Sequence, residues 1–202
     1  MKEMKKWKIV ALCTVLACLS IVASGTLAYF TAQETAHNVI TSGGVDIQLI
    51  ELSGNGGDGL TPWRDVEGVM PGAEISKIVI VRNTGASDAW VRVKVDKTII
   101  LANEDKGNPE VMKLYNNNGD SEWIEQDGYE GRFWTKGEDG YYYYNDSLAP
   151  GDETPALFTT VTFDPKMGND YQGSTAHIDV KADAVQVANN GDTVLDATGW
   201  PA

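Results

Sequence analysis

Beyond its first forty residues the chain alternates apolar and polar positions with a period of two. Val45, Ile47 and Leu49 alternate with Asp46 and Gln48, and Val91, Val93 and Val95 alternate with Arg92, Lys94 and Asp96. Near the end, Ala176, Ile178, Val180, Ala182 and Ala184 alternate with His177, Asp179, Lys181 and Asp183. Successive side chains of a strand point to opposite faces, so these runs predict half-buried strands with one face on a core. Ile78-Val79-Ile80-Val81 is apolar on both faces and predicts a central strand, while Leu157, Val161 and Phe163 mark another inward face. Turn formers lie between the runs: Asn83-Thr84-Gly85 separates two strands, residues 55–59 and 116–120 are Asn/Gly/Asp loops, and residues 136–140 close a hairpin between 132–134 and 141–144.

An internal echo orders the strands further. Met70-Pro71-Gly72-Ala73-Glu74 precedes the run from Ile75 to Arg82, and Ala149-Pro150-Gly151-Asp152-Glu153 precedes the run from Leu157 to Asp164. Pro presets one torsion of a tight turn and Gly accepts the positive φ that follows, so each pair launches a strand. The one helical signal, Asn108-Pro109-Glu110-Val111-Met112-Lys113-Leu114, has a capping Asn and a first-turn Pro and predicts one or two turns in a crossover loop. The expected fold is all-β: a two-sheet antiparallel sandwich with jelly-roll-like topology, at most one or two short helices in loops, and an N-terminal signal helix.

The signal helix is read from residues 1–28. Lys2, Lys5, Lys6 and Lys8 precede an uncharged, mostly apolar stretch that begins at Ile9, and Ser24-Gly25-Thr26-Leu27-Ala28 supplies the small residues a signal peptidase needs. Cleavage between Ala28 and Tyr29 places Thr26 and Ala28 in the two small-residue subsites. An uncleaved anchor is the competing reading, because the uncharged run to Gln33 is long enough for a hydrocarbon core of about 30 Å. A lipid-modified Cys18 is disfavoured, since the apolar run continues well past it. Residues 29–44 then form an N-terminal arm and 45–202 a single sandwich domain. The C-terminus, Thr198-Gly199-Trp200-Pro201-Ala202, carries no apolar tail or basic stop, so covalent wall anchoring is not expected.

Composition narrows the partners. The chain of 202 residues has a net charge of −13, and removing four Lys and Glu3 with the signal takes the mature charge to −16. So acidic an exported chain has no basic stripe for nucleic acid and is repelled by anionic membranes, so no membrane association is expected after cleavage. Cys13 and Cys18 both lie in the signal, so the mature chain forms no disulfide and depends on packing.

With these features in view, the chain resembles the TasA/camelysin family of exported Gram-positive proteins processed by a SipW-type signal peptidase. The matching residues are Gly25-Thr26-Leu27-Ala28-Tyr29-Phe30, Thr41-Ser42-Gly43-Gly44-Val45-Asp46-Ile47, Pro71-Gly72, Asn83-Thr84-Gly85, Gly140-Tyr141-Tyr142-Tyr143-Tyr144, and Pro150-Gly151 leading to Leu157-Phe158. For TasA the resemblance implies a jelly-roll subunit of extracellular biofilm fibres, and for camelysin a surface metallopeptidase.

Residue chemistry favours the first. A zinc peptidase usually places two histidines and a glutamate on one helix face. His-Glu-x-x-His is absent, and only His37 and His177, the latter beside Asp179, remain as weak zinc ligands. No Gly-x-Ser-x-Gly elbow appears. Asp58, Asp120 and Asp139 sit in oxygen-rich loops that calcium would accept, though none matches a twelve-residue calcium loop. No cofactor and no enzyme activity are expected. Trp123, Trp134, Tyr142 and Tyr144 are candidates for an exposed aromatic strip, although a strand sends half of such a run inward. The arm, with Phe30, Val39 and Ile40, is a candidate strand for addition to a neighbouring copy's sheet edge, or for folding back on its own. The leading expectation is therefore a secreted, self-assembling matrix protein. The alternatives are a monomeric adhesion module binding glycan or protein, and a camelysin-like peptidase.

Overall fold

The computed structural model describes residues 31–33, 36–37, 44–54, 59–63, 70–117 and 122–201. In chain order the strands are β1 (Thr31–Gln33), β2 (Ala36–His37), β3 (Ile47–Gly54), β4 (Leu60–Pro62), β5 (Glu74–Ser76), β6 (Ile78–Asn83), β7 (Ala89–Ile100), β8 (Met112–Asn116), β9 (Glu122–Trp123), β10 (Trp134–Lys136), β11 (Tyr141–Tyr144), β12 (Thr160–Phe163) and β13 (Thr175–Gln186). The predicted short helix is a single 3-10 turn, Pro109–Val111, whose capping Asn108 side chain accepts from the Glu110 N–H at 3.0 Å. A second such turn spans Asn169–Tyr171.

The period-two runs build two layers. In the first, the twelve-residue strands β7 and β13 pair antiparallel along their whole length, from Gln186 opposite Ala89 to Thr175 opposite Ile100. Strands β11 and β10 extend the β7 side. The second layer consists of β5-β12-β8-β9 and β4-β3-β6. These meet along one seam, because β5 and β6 are consecutive pieces of a strand interrupted at Lys77. The segment before β12 pairs with both: Lys77 N–H donates to Thr159 O at 3.0 Å, Leu157 N–H to Val79 O at 2.9 Å and Asn83 N–H to Asp152 O at 3.0 Å.

One core lies between the layers. Val45, Ile47, Leu49, Val79 and Val81 meet Val91, Val93, Ala176, Ile178, Val180, Ala182 and Ala184 in one buried cluster. Each large aliphatic side chain in it contributes about 1.5–3 kcal/mol by leaving water. The chain crosses between layers from β2 to β3, β6 to β7, β7 to β8, β9 to β10, β11 to β12 and β12 to β13, as in a jelly-roll-like sandwich.

Both Pro-Gly pairs form the expected turns. Ala73 N–H donates to Met70 O at 2.9 Å and Asp152 N–H to Ala149 O at 3.1 Å, with Gly72 at φ +75° and Gly151 at φ +86°. Each glycine also donates to the far end of the strand launched by the other turn, Gly72 to Phe163 O at 3.0 Å and Gly151 to Asn83 O at 2.8 Å. The hairpin over residues 136–140 joins β10 to β11, with Trp134 opposite Tyr144.

The antiparallel expectation needs one correction. Strands β1 and β2 add to the outer edge of β13 in parallel, Thr31–Gln33 opposite Thr175–His177 and Ala36–His37 opposite Val180–Lys181. Both pairs keep one common register, so the arm runs alongside β13 without a slip.

Candidate functional site

The β13 edge is the feature on which an assembly role turns. On its inner face Ala176, Ile178, Val180 and Ala182 are buried, and on its outer face Asp179 is exposed and His177 and Lys181 are half-buried. β7 occupies the other edge at every position of β13, whereas the described residues of the arm pair only with 175–177 and 180–181. No other described strand pairs with this edge. The outer face also carries two rows of like charge, Asp179 opposite Asp96 and Lys181 opposite Lys94. Like charges directly across a ladder are unfavourable.

Several predicted residues of this site, Ala28, Tyr29, Phe30, Val39 and Ile40, lie outside the described residues. His37 pairs with Lys181, while His177 pairs with Gln33 and Thr98. Four positions of one strand, roughly 13 Å at about 3.3 Å per residue, therefore separate the backbone levels of the two histidines. Among the described residues, no group of three or more His, Cys, Asp or Glu could hold a metal ion. Of the calcium candidates, Asp58 and Asp120 lie outside the described residues. Asp139 is used within its own hairpin: one oxygen accepts from Tyr141 N–H at 3.1 Å and the other from the Tyr143 hydroxyl at 2.7 Å.

The aromatic strip is corrected by burial. Trp134, Tyr142 and Tyr144 are 1%, 4% and 9% exposed and belong to the main core. Trp134 stacks obliquely on Tyr144 with centroids 5.4 Å apart and donates Nε1–H to Pro155 O at 3.0 Å. Burial, and after it the nearby Glu125 carboxylate, pushes the Tyr142 phenol well above its ordinary value. Burial and a hydrogen bond to Glu122 push Tyr129 up to about 12. Of the four candidates only Trp123 reaches solvent, half-buried on the second layer with Lys113 Nζ 5.2 Å from its ring centre.

The opposite face of the tyrosine run is buried too. Tyr143 packs with Trp90, Val185, Val194 and Ala197, and meets Trp200 edge-on at 6.0 Å, beneath the segment that follows β13. Arg92 lies in the same layer. Its Nε and Nη2 donate to Asp183 Oδ2 at 3.1 and 3.0 Å, Nη2 also donates to Pro201 O at 3.1 Å, and its guanidinium stacks 3.9 Å from Tyr141 and 4.7 Å from Trp200. Alternation assigned Arg92 and Asp183 to an outward face. That assignment holds, but the face is covered by a C-terminal segment without periodic signal.

A second enclosed polar cluster ties the layers together. Lys97 pairs with Glu125 and donates to Met112 O at 2.6 Å, while Glu125 Oε2 accepts from Leu114 N–H at 2.9 Å and Trp123 Nε1–H at 3.2 Å. Every group in it has a partner, as a buried charge requires. Among the described residues no helix is long and apolar enough to cross a membrane. No protein-family model and no curated protein sequence matches this chain.

Proposed function

We propose that the chain is an exported structural subunit of an extracellular fibre or biofilm matrix, of the TasA/camelysin kind, released by a SipW-type peptidase and assembled by exchange of its N-terminal arm. The observation that carries this reading is the parallel pairing of β1 and β2 with the edge of β13. An arm laid on its own sheet edge by backbone hydrogen bonds makes the same bonds on a neighbour's edge, so exchange costs little beyond ordering. Exchange between successive copies is head-to-tail and therefore propagates unless a ring closes. The acidic composition disfavours nucleic acid and anionic surfaces as partners, and it sets a repulsion between copies that arm exchange has to overcome.

The adhesion alternative loses most of its expected aromatic strip to the core, and the separated histidines give the peptidase alternative no support.

The test uses the cysteine-free mature chain with Gln33→Cys and His177→Cys, which face each other across the arm. Electron microscopy finds fibres, and non-reducing gels of oxidised fibres show ladders of linked chains. Intrachain bridges alone, with a monomer by sizing, reject the exchange mechanism. Equal fibre yield from a chain lacking residues 29–40 rejects it as well.

A further inference from the structure

The second layer carries an open groove of about 770 Å³ on its outer face, over β5, β12 and β8 and on a different layer from the β13 edge. We propose that this groove binds a short stretch of neutral oligosaccharide. Two cross-strand rows make its floor. In one, Tyr115 lies opposite Thr160. In the next, Lys113 lies opposite Thr162 and Thr162 opposite Glu74. Gly72 and Pro165 line one end, and the size is that of a small-ligand site.

The lining selects the ligand class. Strand β12, at the centre of the groove, is paired with β5 on one side and β8 on the other, so a peptide cannot add to it as a strand. Recognition falls to side chains, and these combine an aromatic face, Tyr115, with the hydroxyls of Thr160 and Thr162 and the amide of Asn117. A sugar ring has the matching duality: an apolar C–H face for the phenol ring and hydroxyls at its rim for the polar groups. Strands about 4.8 Å apart space these groups on the scale of one pyranose ring.

Polar groups in the groove are already oriented. Asn117 Nδ2 donates to Thr160 Oγ1 at 2.8 Å, and Asn117 N–H donates to Thr159 Oγ1 at 2.9 Å. The threonine hydroxyls donate as well as accept, which suits sugar hydroxyls. Charge decides between neutral and ionic glycans. Among the described residues of the lining, Lys113 is the one cation, against Glu74 and Asp164, within a chain of net charge −13. A polyanionic glycan is repelled.

The test titrates mature protein with neutral hexasaccharides (β-1,4-glucan, chitin, xylan and mannan series) and with polygalacturonate as the anionic probe, by calorimetry. The expected result is saturable binding to at least one neutral series, with Kd below about 1 mM, and no binding to polygalacturonate. Tyr115→Ala weakens it at least tenfold, and Thr162→Trp, which fills the groove while keeping the strand, abolishes it. Asp179→Asn, on the other layer, leaves it unchanged, and circular dichroism verifies that each variant is folded. Absence of saturable binding to every neutral series, binding to the anion alone, or equal affinity in folded Tyr115→Ala and Thr162→Trp overturns the proposal. None of these readouts depends on arm exchange, so the two proposals fail separately.

Discussion

Arg92 donates two hydrogen bonds to a single oxygen of Asp183, from the neighbouring position across the β7–β13 ladder, in a layer that no solvent reaches on the Asp183 side. Asp183 is 0% exposed and Arg92 8%; the other Asp183 oxygen lies 3.4 Å from Lys181 Nζ. Removing one member of a buried pair strands the other charge, at a cost of about 3–5 kcal/mol, whereas replacing both with apolar side chains is often neutral. Asp183→Ala should therefore lower the unfolding free energy by about 3–5 kcal/mol. Arg92→Met with Asp183→Leu should cost far less, and urea denaturation of the two variants measures the difference.

The Pro150-Gly151 turn offers a backbone test. Gly151 sits at φ +86° with nothing within 4 Å of an added Cβ, so a substitution there meets only torsional strain. Gly151→Ala is expected to destabilise by about 1–2 kcal/mol. At Gly72, φ +75°, the added Cβ would also touch Pro165 at 3.4 Å, so Gly72→Ala should cost at least as much. Thermal melts of both variants check the order.

Asp179 faces Asp96 across the ladder, and relieving that repulsion should stabilise the sheet. Asp179→Asn raises stability by about 0.2–1 kcal/mol at neutral pH and low salt. The gain shrinks at 1 M salt, where the Debye length falls to about 3 Å. Melting curves at the two ionic strengths test it.

The buried tyrosines predict a loss of stability in alkali. Burial raises Tyr129 to about 12 and pushes Tyr142, Tyr143 and Tyr144 upward too. The unfolded chain releases these protons near pH 10, while the native chain still holds them. The stabilisation is complete below pH 10 and drains away as pH rises toward 12. Spectrophotometric titration should show these phenols ionising late, together with unfolding. A single reversible step near pH 10 for all tyrosines contradicts the burial.

Assembly should respond to charge. The proposed removal of residues 1–28 would leave copies with a net charge of −16. Acidification toward pH 4, where carboxylates begin to protonate, and added salt should both speed polymerisation. Light scattering across pH 4 to 7.5 and across salt measures this. Flat scattering with a monomer at both ends rejects self-assembly of the bare chain.

Much of this architecture was legible locally. The alternation of Val45, Ile47 and Leu49 and of the Ala176–Ala184 run names the inward faces, because strand periodicity depends only on neighbours in the chain. Pro71-Gly72 and Pro150-Gly151 announce their turns, because the required torsions belong to those residues alone. The tyrosine run exposes the limit of such reading. Its alternation assigns Tyr142 and Tyr144 to one face and Tyr143 to the other, but which faces are dry depends on a layer and a C-terminal segment far away in sequence. Arg92 and Asp183 are indistinguishable from solvated strand residues until Trp200 and Pro201 cover them. The parallel register of the arm on β13, and the rows that place Trp123, Tyr115 and Thr160 side by side, are likewise decided by pairing between distant strands. Backbone hydrogen bonding accepts many registers, and only burial of the whole sandwich selects one.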